Sequence, residues 1–329
     1  MVSNSTFRFG VIGCGSIAGQ FVQAVQFLPG MCVASAAARD KERARRFAVR
    51  HGIETYYGDY GEMLQSGNID AVYIATVNTH HLAPMLLALE LGIPVLCEKP
   101  LALTTADFDL AAAAAKKHGV LLMEAMWSCF LPSYQAIRTL LQDGRLGRVA
   151  SAYLHFCVPF PKNPSSRIYS PALGGGLIYD IGVYNLHTAL YLFGDDHQDL
   201  SICGQTGPTG VDVSSVISFS YRGGPTVCTT TSDVAGPHEL IVCGEQGLIR
   251  AEHYNGAQEL CITLDGREER LCFPFDCNGF EYEIQEFVRC VQTGCTESDT
   301  VGLLRSRHVC ELMETAVRTI CGGSSSTVI

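Results

Sequence analysis

No apolar run in this sequence reaches the roughly 18 residues that a membrane-spanning helix requires, so an integral membrane protein is not expected. Charge is scarce, at 17% of residues, and its balance is −10. The most basic stretch holds Lys41, Arg43, Arg45, Arg46 and Arg50, spaced as one solvated helix face. That balance argues against nucleic acid, whose binders carry basic stripes, and against an anionic membrane surface. No Cys-x-x-Cys pair occurs among the 15 cysteines, whose number is odd and which are scattered through apolar segments. Such thiols read as small buried hydrophobes of a reducing cytoplasm, not as a disulfide framework or a zinc site. The polar opening Met1–Thr6 leads straight into a strand without the look of a signal peptide, so a cytoplasmic location is expected. Internal repeats and flexible linkers are also missing.

What is present is a chain of 329 residues with 47% hydrophobic content, enough for two globular domains. Phe7–Ile12, Cys32–Ala37, Ile53–Tyr57, Ala71–Thr76, Val95–Pro100 and Val120–Met123 read as short buried strands. Helical patterns alternate with them, among them Tyr60–Ser66, Pro84–Leu91 and Asp107–His118. Strand–helix alternation of this kind predicts a doubly wound parallel sheet, the Rossmann type, over residues 1–123. After that the grammar changes. Helices are expected at Leu131–Gln142 and Leu177–Leu192, with a long alternating strand at Val149–Val158 between them. An antiparallel meander is expected from Leu200 to Phe273, then closing helices at Phe280–Val291 and Leu303–Thr319 and a frayed tail at Gly322–Ser326. Residues 124–329 therefore read as an α+β domain on a large, open, mostly antiparallel sheet.

Three stretches of the first domain carry chemistry. Gly13-Cys-Gly15-Ser-Ile-Ala18 is a G-x-G-x-x-A between a strand and a helix. Gly13 permits the tight turn, Gly15 lets a pyrophosphate approach the backbone, and Ala18 keeps the helix close to the strand. The second strand ends at Ala38-Arg39-Asp40. A small residue followed by arginine suits the 2′-phosphate of NADP, whereas Asp40 could still serve NAD through the ribose hydroxyl. The third stretch is Val95-Leu-Cys-Glu98-Lys99-Pro100, a strand end that delivers a lysine where open parallel sheets bind ligands. Nearby positive charge eases loss of a proton from a substrate hydroxyl. His80 and His81 invite a metal reading, but adjacent histidines on a turn do not make a ligand set, and no metal is expected.

With Gly13–Ala18, Asn78–His81, Glu98-Lys99-Pro100 and Gly174–Tyr184 in order, the whole chain resembles the Gfo/Idh/MocA family of oxidoreductases. Leu122–Trp127 and Gly174–Tyr184 look most like its dihydrodiol dehydrogenase and glucose–fructose oxidoreductase branch. The resemblance implies an NAD(P) enzyme moving a hydride to or from a hydroxyl carbon of a sugar, cyclic polyol or dihydrodiol. It implies cofactor contacts from Gly13, Gly15, Ser16, Ile17, Ala18, Arg39, Thr76, Asn78, His81, Glu98, Lys99 and Trp127. Tyr184 stands where the family more often has histidine, and would donate or accept the proton. Lys99 would polarise the oxygen, and Asp180, at i and i+4 with Tyr184 on one helix face, would complete the catalytic set. Trp127, Arg167 and His187 match substrate-side positions. Cys129 departs from the family, which often has arginine there, and so bears on substrate choice. A homodimer or larger homo-oligomer through the open sheet is implied. Two other readings keep the fold: a tightly held cofactor used in an internal redox cycle, and an NADP-sensing regulator without catalysis.

Overall fold

Short, unbroken apolar runs build the first sheet of the computed structural model, which describes residues 6–322 and 327–328. The strands are β1 (Phe7–Ile12), β2 (Met31–Ala37), β3 (Thr55–Tyr57), β4 (Ala71–Ile74), β5 (Val95–Glu98) and β6 (Leu122–Ala125). They pair in parallel in the order β3-β2-β1-β4-β5-β6. Strands β4, β5 and β6 are buried at every position, as strands covered on both faces must be. Helices α1 (Ser16–Phe27), α2 (Lys41–His51), α3 (Tyr60–Leu64), α4 (Leu82–Glu90) and α5 (Thr105–His118) alternate with the strands. Their ends follow from local chemistry. Asp40 caps α2 by accepting from Glu42 N at 3.0 Å, Thr104 caps α5 from Asp107 N at 3.1 Å, and Gly52 and Gly119 close the two helices in the left-handed region. This is the doubly wound order expected from the sequence.

The second sheet grows from α6 (Pro132–Gln142), β7 (Val149–Cys157), α7 (Val183–Phe193) and the strands β8 (His197–Thr206), β9 (Asp212–Tyr221), β10 (Thr226–Ser232), β11 (His238–Gly244), β12 (Gly247–Glu252), β13 (Glu259–Leu264) and β14 (Arg267–Cys272). Helices α8 (Phe280–Thr293) and α9 (Leu303–Cys321) and a short β15 (Thr327–Val328) finish the described chain. Nine strands lie in the order β14-β13-β12-β11-β7-β10-β9-β8-β15. The expected meander is thus cut in two. β7 enters between β11 and β10 and runs parallel to β10, while every other pair is antiparallel. Burial alternates along β9 and β10: Ser215, Ile217, Phe219, Val227, Thr229 and Thr231 face inward, and α7 lies against β7 and β10. The opposite face offers Ser214, Val216, Ser218, Cys228 and Thr230. Past Gly322, the tail expected to fray lies outside the described residues. Among the described residues no helix is long and apolar enough to cross a membrane.

The chain divides into two units, the chain up to Trp127 with Asp276–Ser306, and Ser128–Phe275 with the chain from Arg307 on. Where the sequence suggested one cut after residue 123, the first unit takes in α8 as well, and aromatic packing accounts for this. Phe9, Phe21 and Tyr73 form a buried cluster, with Phe21 stacked on Tyr73 at 3.8 Å and 7° and Phe9 edge-on to Phe21 at 5.2 Å. Phe287 of α8 completes it, 5.9 Å from Phe9. Aromatic pairs of this kind contribute beyond their buried area, so α8 is tied to the parallel sheet despite its distance in sequence.

The helix expected over Leu177–Leu192 begins differently. Ile178–Gly182 is a π-helical segment, and the α-helix proper starts at Val183. The wider turn moves Asp180 off the regular i, i+4 relation to Tyr184 assumed for one continuous helix. Asp212 pins the start of this segment, accepting from Ile178 N at 2.8 Å. Gly176 has φ +118, and a methyl group there would stand 2.3 Å from Asp212 Oδ1. Burial raises the Asp212 pKa to about 6, against the backbone N–H groups that favour its charge. The folded state thus holds this proton more tightly than the unfolded chain, and stability from Asp212 falls as pH rises from the ordinary carboxylate range to about 6. Asp212→Ala is expected to cost about 1–3 kcal/mol by orphaning a buried N–H. Asp212→Asn, which keeps an acceptor, should cost less and flatten that pH dependence. Urea melts at several pH values check both.

Candidate active site

The cofactor side of the site is built at the carboxyl ends of β1, β2, β4 and β5, flanking the point where strand order reverses. Gly13 follows β1 with φ +97, and a methyl group there would stand 2.4 Å from the Ala75 carbonyl oxygen. Glycine at this position is a requirement of the fold. Gly15 is different: its φ is −95, open to any residue, and a methyl group there would meet nothing within 4 Å. Gly15 is also the N-cap of α1, with no side-chain cap and no acidic residue in the first turn. An uncapped helix N-terminus approached over a bare glycine fits a pyrophosphate, and Ser16, Ile17 and buried Ala18 form that first turn. Gly13→Ala should therefore destabilise the first unit, whereas Gly15→Ala should leave its melting temperature within about 1 °C and weaken dinucleotide binding about tenfold or more. Thermal melts beside a binding titration separate the two.

At the end of β2, Ala38 is buried and Asp40 caps α2 through one carboxylate oxygen, Oδ1. Arg39 reaches His80, Nη1 to Nε2 3.2 Å. Arg43 lies 3.4 Å from the Cys14 carbonyl oxygen through both Nε and Nη2. Burial raises the Tyr60 phenol, against the charges of Arg39 and Arg43 and the Arg39 backbone N–H. The β2 side of the glycine loop is thus cationic, and the residues present fit a phosphorylated dinucleotide.

The turn after β4 and the Lys99 turn are locked together. His81 is fully buried, with Nδ1 3.0 Å from the Pro100 carbonyl oxygen and Nε2 3.3 Å from that of Thr76. Its burial lowers its pKa. His81 therefore braces two loops, and its reach toward a cofactor is indirect. Asn78 is buried in the same turn. Glu98 ends β5 buried, accepts the Tyr73 hydroxyl, and accepts Lys99 N at 3.2 Å. Burial raises its pKa, while the Tyr73 hydrogen bond and the Lys99 charge pull it down. Glu124 accepts Leu101 N at 3.0 Å just beyond. Lys99 is half-buried and joined to Pro100 by a cis bond; its N–H goes to Glu98, and the Pro100 carbonyl is met by His81. Trp127 is stacked on Phe280 of α8 at 5.4 Å and 10°. Phe280 escaped the sequence reading because it opens a helix that looked merely closing.

One acid in this unit was missed altogether. Glu283 of α8 is 0% exposed, and neither carboxylate oxygen has a hydrogen-bond partner among the described residues. Burial, with the charge of Glu98, holds its pKa well above the ordinary carboxyl value.

In the second unit Asp180 is paired with Arg167. Arg167 Nη2 donates to Asp180 Oδ1 at 2.6 Å, with Asp180 nearly buried and Arg167 about 40% exposed at its side chain. The loop carrying Arg167 is tied down again where Lys162 pairs with Asp233, which also accepts the Tyr169 hydroxyl at 2.9 Å. Tyr184 is 8% exposed, its ring 5.7 Å from Phe156, which stacks on His238 at 3.9 Å. Burial lowers the His238 pKa to about 4, aided by His253, so this wall is uncharged at neutral pH. His187, expected on the substrate side, is fully buried within α7 and belongs to the core. Cys129 is buried too, near Tyr134.

Comparison with known proteins agrees with this geometry. Residues 7–126 match the model of an oxidoreductase family with an NAD-binding Rossmann fold, GFO_IDH_MocA, and residues 134–250 match the GFO/IDH/MocA C-terminal domain. Trans-1,2-dihydrobenzene-1,2-diol dehydrogenase of Xenopus laevis is 32% identical over 325 residues, covering 95% of this chain and 98% of that one. The Homo sapiens protein of the same name is 30% identical, covering 95% and 96%. Among solved structures, a 3-ketoreductase from Actinomadura kijaniata, in complex with NADP and TDP-benzene, superposes with a TM-score of 0.86 at 27% identity, covering 96% of this chain and 98% of that one. An aldose–aldose oxidoreductase from Caulobacter crescentus shares the fold, with a TM-score of 0.88 at 22% identity and coverage of 98% and 100%. Glycine loop, lysine turn and full-length kinship together place the chain in the GFO/IDH/MocA family, as an NAD(P)-dependent oxidoreductase.

Proposed function

We propose that this enzyme prefers NADP and oxidises or reduces a hydroxyl-bearing carbon on a sugar, cyclic polyol or dihydrodiol. The single observation that carries the cofactor choice is the end of β2, where Asp40 is engaged as a helix cap and Arg39 has no carboxylate partner among the described residues. The substrate class rests on kinship with proteins named dihydrodiol dehydrogenase and 3-ketoreductase.

When bound, the nicotinamide accepts or supplies the hydride. The chain's own residues handle the proton and the charge. Tyr184 exchanges a proton with the substrate oxygen, and Lys99, cationic on a braced turn, steadies the negative charge that develops on that oxygen. Asp180 orients Arg167 through their 2.6 Å ion pair, so that the arginine presents a fixed edge to substrate hydroxyls. Trp127, backed by Phe280, offers a flat apolar surface suited to a ring. The outward face of the second sheet, neutral across β9 and β10 and bearing the exposed Tyr153 on β7, is the surface by which two copies would associate.

Titration of the purified protein with NADP and NAD, followed by a panel of sugars, polyols and dihydrodiols read by nicotinamide absorbance, tests this reading. NADP binding tighter than NAD with turnover on a ring substrate is expected. Tighter NAD binding would overturn the cofactor choice, and turnover confined to acyclic alcohols would overturn the substrate class. Sedimentation of wild type and a Tyr153→Glu variant tests the association.

A further inference from the structure

Arg39 meets a histidine where a carboxylate would be the usual partner of an arginine. His80 lies on the turn after β4, two strands away from the end of β2 in the sheet, and its side chain spans that gap. His80 Nε2 is 3.2 Å from Arg39 Nη1, and His80 Nδ1 is 3.0 Å from Thr79 Oγ1. A guanidinium offers donors only, so Nε2 must be the acceptor in the first contact. The ring proton then sits on Nδ1 and is donated to Thr79 Oγ1. The two contacts together select one tautomer of an uncharged imidazole.

That choice of acceptor matters for charge. A carboxylate in this place would fix the arginine equally well, and would cancel its charge. A neutral imidazole fixes one N–H and leaves the positive charge whole. Asp40, the carboxylate next in sequence, accepts from Glu42 N at 3.0 Å. Arg43 adds a second cation on the same side of the glycine loop, against the Cys14 carbonyl oxygen at 3.4 Å. Arg39 is therefore oriented without being neutralised.

We propose that His80 is the positioning residue through which this chain separates NADP from NAD. It holds Arg39 by one N–H and leaves the remaining donors and the full charge for a 2′-phosphate. The inference rests on the reading of Arg39 as the partner of that phosphate, and the test keeps the two apart.

Binding of NADP, NAD and 2′,5′-ADP is measured by calorimetry for wild type, Arg39→Ala, His80→Leu, His80→Gln and His80→Asp, each checked for folding by circular dichroism. Arg39→Ala is expected to weaken NADP and 2′,5′-ADP by about tenfold or more, with NAD changed little. His80→Leu should weaken the two phosphorylated ligands by about threefold to tenfold and NAD by less than about twofold. His80→Gln, whose amide oxygen can accept from Arg39, should restore most of the difference. His80→Asp should lower the NADP-to-NAD ratio nearly as far as Arg39→Ala, because it pairs the guanidinium. If Arg39→Ala is selective while His80→Leu and His80→Asp leave the ratio at the wild-type value, His80 is a bystander and the proposal falls, with NADP preference standing. If Arg39→Ala itself leaves the ratio unchanged, both readings fall. An equal loss of NADP and NAD in His80→Leu would also overturn the proposal, since it would mark a role in shaping the turn.

Discussion

Tyr184→Phe is expected to lower turnover by about 10²- to 10⁴-fold, the usual contribution of a positioned proton donor or acceptor. NADP affinity should stay within about twofold. The substitution removes one oxygen from a ring that is nearly buried against Phe156, so the packing of α7 survives and the loss is chemical. Lys99→Met should give a loss of similar size, with a longer reach into the first unit. Burial already raises the Glu98 pKa, and the Lys99 charge is one of the forces opposing that rise. Without it Glu98 takes up a proton more readily, and a protonated Glu98 is a poorer acceptor for Tyr73 and for Lys99 N. The two variants are thus distinguishable: the phenylalanine should leave the melting temperature alone, while the methionine should lower it. Single-turnover rates and melts on both would settle the assignment. Turnover within about threefold of wild type for Tyr184→Phe would assign the proton to another group.

The second large effect concerns Glu283. Its folded pKa lies well above the ordinary carboxyl value because burial and the charge of Glu98 both oppose ionisation. The folded protein therefore binds a proton that the unfolded chain has already released. Stability falls as pH climbs from the unfolded carboxyl range toward the raised value, by about 1.4 kcal/mol for each pH unit crossed. Glu283→Gln removes that titration and supplies an amide able to donate toward Glu98. The variant should match wild type near pH 4 and become progressively more stable as the pH climbs above the ordinary carboxyl range, its urea midpoint diverging upward. Parallel curves across the whole range would show that Glu283 is ionised and compensated. Glu98, itself raised, adds a pH dependence of the same sign in both proteins.

Much of the cofactor side was legible because it is local. Gly13, Gly15 and Ala18 fall within six residues of one another, and a strand, a turn and a helix can be read from such a span. Glu98, Lys99 and Pro100 are likewise consecutive. The less legible parts depend on partners far off in the chain. β7 became a central strand through pairing with β10 and β11, which periodicity cannot foresee. Glu283 lies in the first turn of α8, where an acid ordinarily serves the helix dipole and carries no sign of burial. Its neighbour Glu281 does act that way, accepting from Cys277, Asn278 and Gly279 N, but Glu283 points into the core. His81 and His187 carried the right residue type for a site, yet their side chains are fully buried. The His80–Arg39 contact joins residues 41 positions apart and has no signature in either neighbourhood.

The first unit is closed by α8, whose Phe287 and Phe280 arrive more than 150 residues after β6. During synthesis the parallel sheet must wait for the ribosome to finish the whole of Ser128–Phe275 before its last aromatic wall exists. Until then Phe9 lacks Phe287 and Trp127 lacks its stacking partner Phe280, and the nascent sheet is expected to present sticky apolar surface to other chains and to chaperones. A fragment ending at residue 127 is consequently not a transplantable cofactor module: it should be recovered insoluble, and co-expression of 276–306 in trans should help rescue it.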